Sequence, residues 1–408
     1  MAVLSNVVEI DPVFWVDGFE ELFSQVVAPF FGRREPRLRA RGYLLGLLSS
    51  LERKNGWSLA EFAGDKTPDG MQRLLNHARW DAGLVRDALR AQVAERIGSP
   101  AGVLAVDDTG FEKKGLRSAG VQRQYTGTAG KITNCQIGVF CSYVNPDRQR
   151  VLIDRELYLP ASWFTGPDRL ADAGVPDGTV FATKPELAWR MIERAADDPL
   201  LVFGWVTGDE AYGDNTELRD RCRARGLNHV FAVSCDHPIT LAGTKTRADH
   251  AIAALDSGAW QRYSCGDGAK GRRFYDWAWI EVADRDRVLA RRSISNPGDL
   301  AFYRCWATRP AGLPELVRVA GSRWSIEECF QATKNEVGLD HYQVRTHMAW
   351  YRHITLAMVA HTHLALLAAE QHPPPDPPDP TPTGEDHDGL ATQGARPHGT
   401  NTPRPDER

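Results

Sequence analysis

The sequence predicts an α/β protein in which a mixed sheet is flanked by helices, preceded by a helical segment and interrupted by a β-rich insertion. Three observations carry this. Residues up to about 100 show apolar positions at three- and four-residue intervals, as in EPRLRARGYLLGLLSSLERKNGWSLAEFAG and DGMQRLLNHARWDAGLVRDALRAQVAERIG. From residue 101 short apolar runs alternate with helical stretches, and two of the runs, GVLAVDD and LLVFGWVTGDEAYG, end in acids. Residues 240–300 turn polar and break into short strand-like pieces such as FYDWAWIEV.

These changes of period set the expected boundaries. Residues 1–100 form an N-terminal helical domain, and 101–239 hold the first part of the core, with strands at KITNCQIGVFCSYVN, QRVLIDRELYLP and HVFAVSC. The β-rich insertion covers 240–300. Residues 301–371 complete the core and are helical from about 315. The tail 372–408 has ten prolines in 37 residues and is expected to be disordered.

Composition excludes several classes. Of the 408 residues 42% are hydrophobic and 25% charged, which suits a globular chain, and no apolar run reaches bilayer length. The start, MAVLSNVVEIDPVFW, lacks a basic region and a cleavage site, so no secretory signal is expected. Seven scattered cysteines without a CxxC point to a reducing cytoplasm, and neither a disulfide framework nor a zinc site is expected. The net charge of −4 lies wholly in the tail, which has seven acids against three bases. The other 371 residues balance, so nucleic-acid contacts must rest on local clusters. Five arginines within residues 33–41, Arg37 and Arg41 among them, form one such cluster and fit DNA-backbone contacts.

An ionised Asp is costly to bury, so an apolar strand that ends in one usually presents it to a cleft, a partner or a metal. Asp107, Asp108 and Asp209 stand in such positions. Capping of the next helix is the competing use of a strand-end Asp. Strand alternation lets only one of Asp107 and Asp108 face a given site. The third acid is Glu327 in GSRWSIEECFQATKNEVGLDHYQVR, where Ser325-x-x-Glu328 predicts a capping box starting a helix near Ile326. Glu327, Gln331 and Lys334 then share a face, with Arg323 just upstream. Three carboxylates can hold paired divalent cations, which stabilise the attacking and leaving oxygens of a phosphodiester.

Arg323-x3-Glu327-x6-Lys334 resembles the Tyr-x2-Arg-x3-Glu-x6-Lys signature of DDE-type insertion-sequence transposases, with Ala320 where that signature has Tyr. DDTGFEKKGLRSAGVQRQYTGTAGKITNCQIGVF, LYLPASW, GDEAYGDN and GWSLAEFAGDKTPDGMQRLL are similar to the DDE superfamily endonucleases among them, in the same order. The likeness runs from about residue 20 to 370. It implies an RNase H-like catalytic domain whose carboxylates fall on Asp108 (with Asp107 as its rival), Asp209 and Glu327. Glu210 and Glu328 are adjacent decoys. It further implies two Mg²⁺ (or Mn²⁺) ions and DNA phosphate contacts from Arg323 and Lys334, with Lys131, Lys113 and Lys114 as further candidates. The expected partners are double-stranded DNA, as element ends and target, and a second copy in a synaptic homodimer. No membrane is involved, and the expected setting is a bacterial cytoplasm, at the nucleoid when DNA is bound. The expected activity is Mg²⁺-dependent cleavage at inverted repeats followed by transfer of 3′-hydroxyl ends. The alternatives are a catalytically silent DNA-binding descendant and a stand-alone metal-dependent nuclease.

Overall fold

The computed structural model describes residues 12–268 and 271–371. The proline-rich stretch 372–408, expected to be disordered, lies outside the described residues. Five helices come first: α1 (Pro12–Leu22), α2 (Arg34–Leu48), α3 (Gly56–Phe62), α4 (Asp69–Asn76) and α5 (Ala82–Ile97). Asn55 and Asp81 cap α3 and α5 by accepting backbone N–H bonds from Trp57 and Ser58, and from Gly83.

Strands β1 (Val103–Glu112), β2 (Gln122–Thr126), β3 (Lys131–Val144) and β4 (Arg150–Tyr158) follow. Next come α6 (Pro167–Asp172), α7 (Lys184–Ala196), β5 (Trp205–Gly208), α8 (Glu210–Gly213), α9 (Thr216–Ala224) and β6 (His229–Val233). β1 pairs antiparallel with β3 and parallel with β5, and β5 runs parallel to β6. The outer edge of β3 carries β2 along its first residues and β4 along the rest. Helices cover both faces of this mixed sheet, the RNase H-like arrangement that the resemblance implies.

The polar stretch after residue 237 contributes a small hairpin, β7 (Pro238–Leu241) with β8 (Thr244–Arg247), and then α10 (Ala248–Ala253). Its remaining strands, β9 (Gln261–Gly268), β10 (Gly271–Ala283) and β11 (Asp286–Arg292), continue the main sheet. They join through β12 (Leu300–Trp306), which pairs with β6 on one side and β11 on the other. Three helices finish the described chain: α11 (Leu313–Ser322), α12 (Trp324–Val337) and α13 (His347–Gln371).

The N-terminal helices share one apolar core with α12 and α13. Polar bonds reinforce it. Arg352 of α13 donates to the carbonyls of Leu75, Ala78 and Trp80, and the Tyr43 hydroxyl meets His353 Nδ1 at 2.8 Å.

Burial lowers the pKa of His353 to about 3, and of His361 and His363 to about 4. These rings fold neutral, whereas in the unfolded chain they take up protons below about pH 6.5. Stability is therefore present above pH 6.5 and is lost as the pH falls from there toward 4. Urea unfolding at stepped pH should show the midpoint dropping steadily through that window. A flat midpoint would contradict neutral burial.

Candidate active site

Asp107 and Asp108 stand in the middle of β1, not at its end as the sequence suggests, because pairing with β3 continues to Glu112, and they point to opposite faces of the sheet. Asp107 lies opposite Phe140, whose ring packs 5.3 Å from Phe330 of α12. Asp108 lies opposite Val139, on the face covered by α7. The last paired residues of β1 and β5 are Val106 and Gly208, so Asp107 and Asp209 follow side by side where β5 stops and β1 runs on.

The α12 face also holds the signature residues. Arg323 joins α11 to α12, and its Nη1 is 2.8 Å from Glu327 Oε1. Lys334 donates to Thr109 Oγ1 at 2.7 Å, two residues beyond Asp107, and to Thr128 Oγ1 at 3.3 Å in the β2–β3 turn. Burial raises the Asp107 carboxyl well above its ordinary pKa, and repulsion from Asp209 and Asp108 adds to this, while Arg323 opposes it. Asp209 is raised in the same way, by burial and by Asp108, again against Arg323. Crowded acids with one arginine between them favour a cation. Asp209 also takes the helix-capping use, since its Oδ1 accepts from Ala211 N at 3.0 Å.

Asp108 is engaged elsewhere. Both its oxygens accept from Lys184 Nζ, at 2.9 and 3.0 Å, and the Tyr212 hydroxyl donates to it at 3.4 Å. Lys184 and Tyr212 were not anticipated. The motif GDEAYGDN contains Tyr212, but only the fold brings it under β1.

The other expected residues divide. Glu210 is exposed at the start of α8, and Glu328 pairs with Arg150 at 3.2 Å. The capping box Ser325–Glu328 does not form. Arg323 is itself helical (φ −56°, ψ −41°), so Ser325 falls inside continuous helix and α12 starts at Trp324 without a side-chain cap. Lys113 donates to the Tyr342 carbonyl and lies over its ring, and burial lowers its pKa to about 8. Lys114 is exposed in the loop after β1, and Lys131 is exposed just past the turn that Lys334 touches. On α2, Arg37 is exposed, whereas Arg41 is bound to Glu20. Ala320, on the inner side of α11, is fully buried.

Asp107 and Asp209 offer hard oxygen ligands of the kind Mg²⁺ or Mn²⁺ prefers, and their mutual repulsion fits such an ion. Glu327 is instead paired with Arg323. Among the described residues no three ligating side chains are gathered to hold an ion as they stand.

Close packing sets the turn that presents Asp209. A Cβ on Gly213 would lie 1.7 Å from the Ala232 carbonyl oxygen. Gly213→Ala should therefore lower the melting temperature. A variant with wild-type stability would refute the role given to this contact.

The DDE superfamily endonuclease family matches residues 26–271. A curated relative, "Probable transposase for insertion sequence element IS701" of Microchaete diplosiphon, is 27% identical over 311 residues, 74% of this chain and 70% of its own. A solved piggyBac transposase synaptic complex with hairpin DNA aligns with 87% of this chain and 75% of that chain, at 11% identity and a TM-score of 0.44. With well over half of its length matched by the family, this chain belongs to the DDE superfamily endonucleases.

Proposed function

We propose that the protein is an insertion-sequence transposase that cuts DNA at the ends of its element and joins the freed 3′-hydroxyls to target DNA. The observation that carries this reading is the side-by-side placement of Asp107 and Asp209, with Arg323, the ion-pair partner of Glu327, acting on both. The reading takes Asp107, not Asp108, as the first catalytic carboxylate. Asp107, Asp209 and Glu327 would hold Mg²⁺ or Mn²⁺, which when bound activates the attacking oxygen and stabilises the leaving one.

The chain's own groups have separable tasks. Asp107 within β1 and Asp209 just past the end of β5 supply negative charge side by side, and the sheet holds them rigidly. Arg323 neutralises Glu327 until DNA arrives, after which its guanidinium can meet a phosphate in the same fork geometry. Lys334 ties α12 to β1 through Thr109, which keeps Glu327 in register with Asp107. Synapsis of two ends calls for a homodimer.

The test uses a plasmid carrying the element's inverted repeats, purified protein and Mg²⁺. The expected result is nicking at both ends and joint molecules with a second plasmid. Binding without nicking would support a silent DNA-binding descendant. Nicking without joint molecules would support a stand-alone nuclease.

A further inference from the structure

Beside the carboxylates, on the same face of the sheet, three arginines surround one indole. Trp324 opens α12, three residues before Glu327. Arg273 of β10 lies over its ring at 4.8 Å, Arg291 of β11 at 5.0 Å, and Arg323 at 5.4 Å. Arg291 also lies 4.5 Å from the centre of the Tyr275 ring. Cross-strand register explains the grouping. Arg291 stands opposite Trp277, and Arg273 and Tyr275 share that face of β10.

The charge in this cluster is uncompensated. Elsewhere on these strands arginines meet acids: Arg262 and Arg292 bind Asp276 at 3.0 and 3.4 Å, and Arg287 binds Glu281 at 2.9 Å. Arg323 has Glu327. The side chains of Arg273 and Arg291 have no acid partner and no hydrogen bond among the described residues, and the Nε of each is enclosed. Both side chains are half-buried. Packing two guanidinium groups on one ring without a counterion is unfavourable unless an anion completes the site. Stacking holds both groups rigid, which lowers the cost of ordering them around that anion.

We propose that Arg273 and Arg291, carried by the β-rich insertion and braced on Trp324, clamp the DNA backbone through its phosphates next to the carboxylates. The proposal rests on the transposase reading and assigns the insertion a task within it. The clamp takes phosphates, since both guanidinium groups lack an acid partner and match the anionic backbone. It adds affinity without sequence preference and binds the strand beside Glu327, on the side away from Lys334.

The test measures binding of a short duplex of arbitrary sequence by fluorescence anisotropy across a salt series, without divalent metal. R273Q/R291Q should weaken binding about tenfold or more at moderate salt. It should also flatten the plot of log K against log salt by about two units, one per lost phosphate contact. R273K/R291K keeps the charge and should retain most of the slope. A Lys pair that behaves like the Gln pair would reduce the cluster to a packing role and overturn the clamp. Unchanged affinity and slope in R273Q/R291Q would overturn it too, and leave the transposase reading standing. Wild-type protein that fails to bind duplex at low salt would overturn both. If the double Gln variant melts early, R273Q and R291Q taken singly should each flatten the slope by about one unit.

Discussion

Asp107→Asn is expected to abolish Mg²⁺-dependent cleavage while leaving the protein folded and able to bind DNA. Loss of a metal-binding carboxylate removes several kcal/mol of transition-state stabilisation, so cleavage should fall by at least about a thousandfold, or roughly 4 kcal/mol. The same change should raise the melting temperature. Asp107 folds with its pKa raised by burial and by the charges of Asp209 and Asp108. Its ionised form therefore costs stability as the pH rises above the ordinary carboxylate range, and the neutral amide removes that cost. Asp108→Asn should do the opposite. It breaks the pair with Lys184, so the melting temperature drops, but cleavage stays within about tenfold of wild type because no metal ligand is lost. Single-turnover cleavage and thermal melting on the two variants check both halves. Equal loss of cleavage in the two would contradict the division of labour between the faces of β1.

The largest effect on stability is expected at a different acid. Asp154 of β4 is almost wholly buried and accepts from Arg86 of α5 at 3.0 Å and from Arg194 of α7 at 2.9 Å. Arg155, equally buried, adjoins it and donates to the Ala82 carbonyl. Burial alone would raise the Asp154 carboxyl, but Arg194, Arg86 and Arg155 outweigh it and hold its pKa at about 2. Asp154→Ala leaves guanidinium groups without their counterion inside the junction of α5, α7 and β4. Removing one partner of a buried ion pair costs about 3–5 kcal/mol, a large part of a typical domain's total stability. Chemical denaturation should show the midpoint moving down sharply. The sign with pH follows from the lowered pKa. This stability is complete above the ordinary carboxylate range and is lost only as the pH falls through that range toward 2. Acid unfolding near pH 5 therefore belongs to the buried histidines, and Asp154 acts below it. A mild effect of Asp154→Ala would show that the arginines find water when it goes.

Much of this arrangement is legible along the chain. The apolar run before Asp209 does end a strand, and Glu327 and Lys334 do lie on one helix with Arg323 at its start. Asp107 and Asp108 instead sit in the middle of β1, because pairing with β3 carries that strand on to Glu112. Alternation along β1 requires Asp107 and Asp108 to face opposite ways, yet nothing local tells which face α12 covers. That depends on β3, where Phe140 meets Phe330 across the sheet. The capping box at Ser325 misled because its residues suit a helix start, and only the helical backbone at Arg323 removes the need for a cap. Residues 240–300 read as polar because their strands carry arginines on a sheet edge, and polarity gives no hint that β9, β10 and β11 extend the main sheet. The stacking of Arg273 and Arg291 on Trp324 joins residues more than thirty positions apart, so no spacing could reveal it.

The most direct test of the central claim is Mn²⁺ binding to protein held on uncleavable element-end DNA, followed by electron paramagnetic resonance. Wild type and D108N should bind two ions, and D107N, D209N and E327Q should each lose at least one. Retention of both ions by D107N together with loss in D108N would contradict the assignment of the site to the α12 face of the sheet.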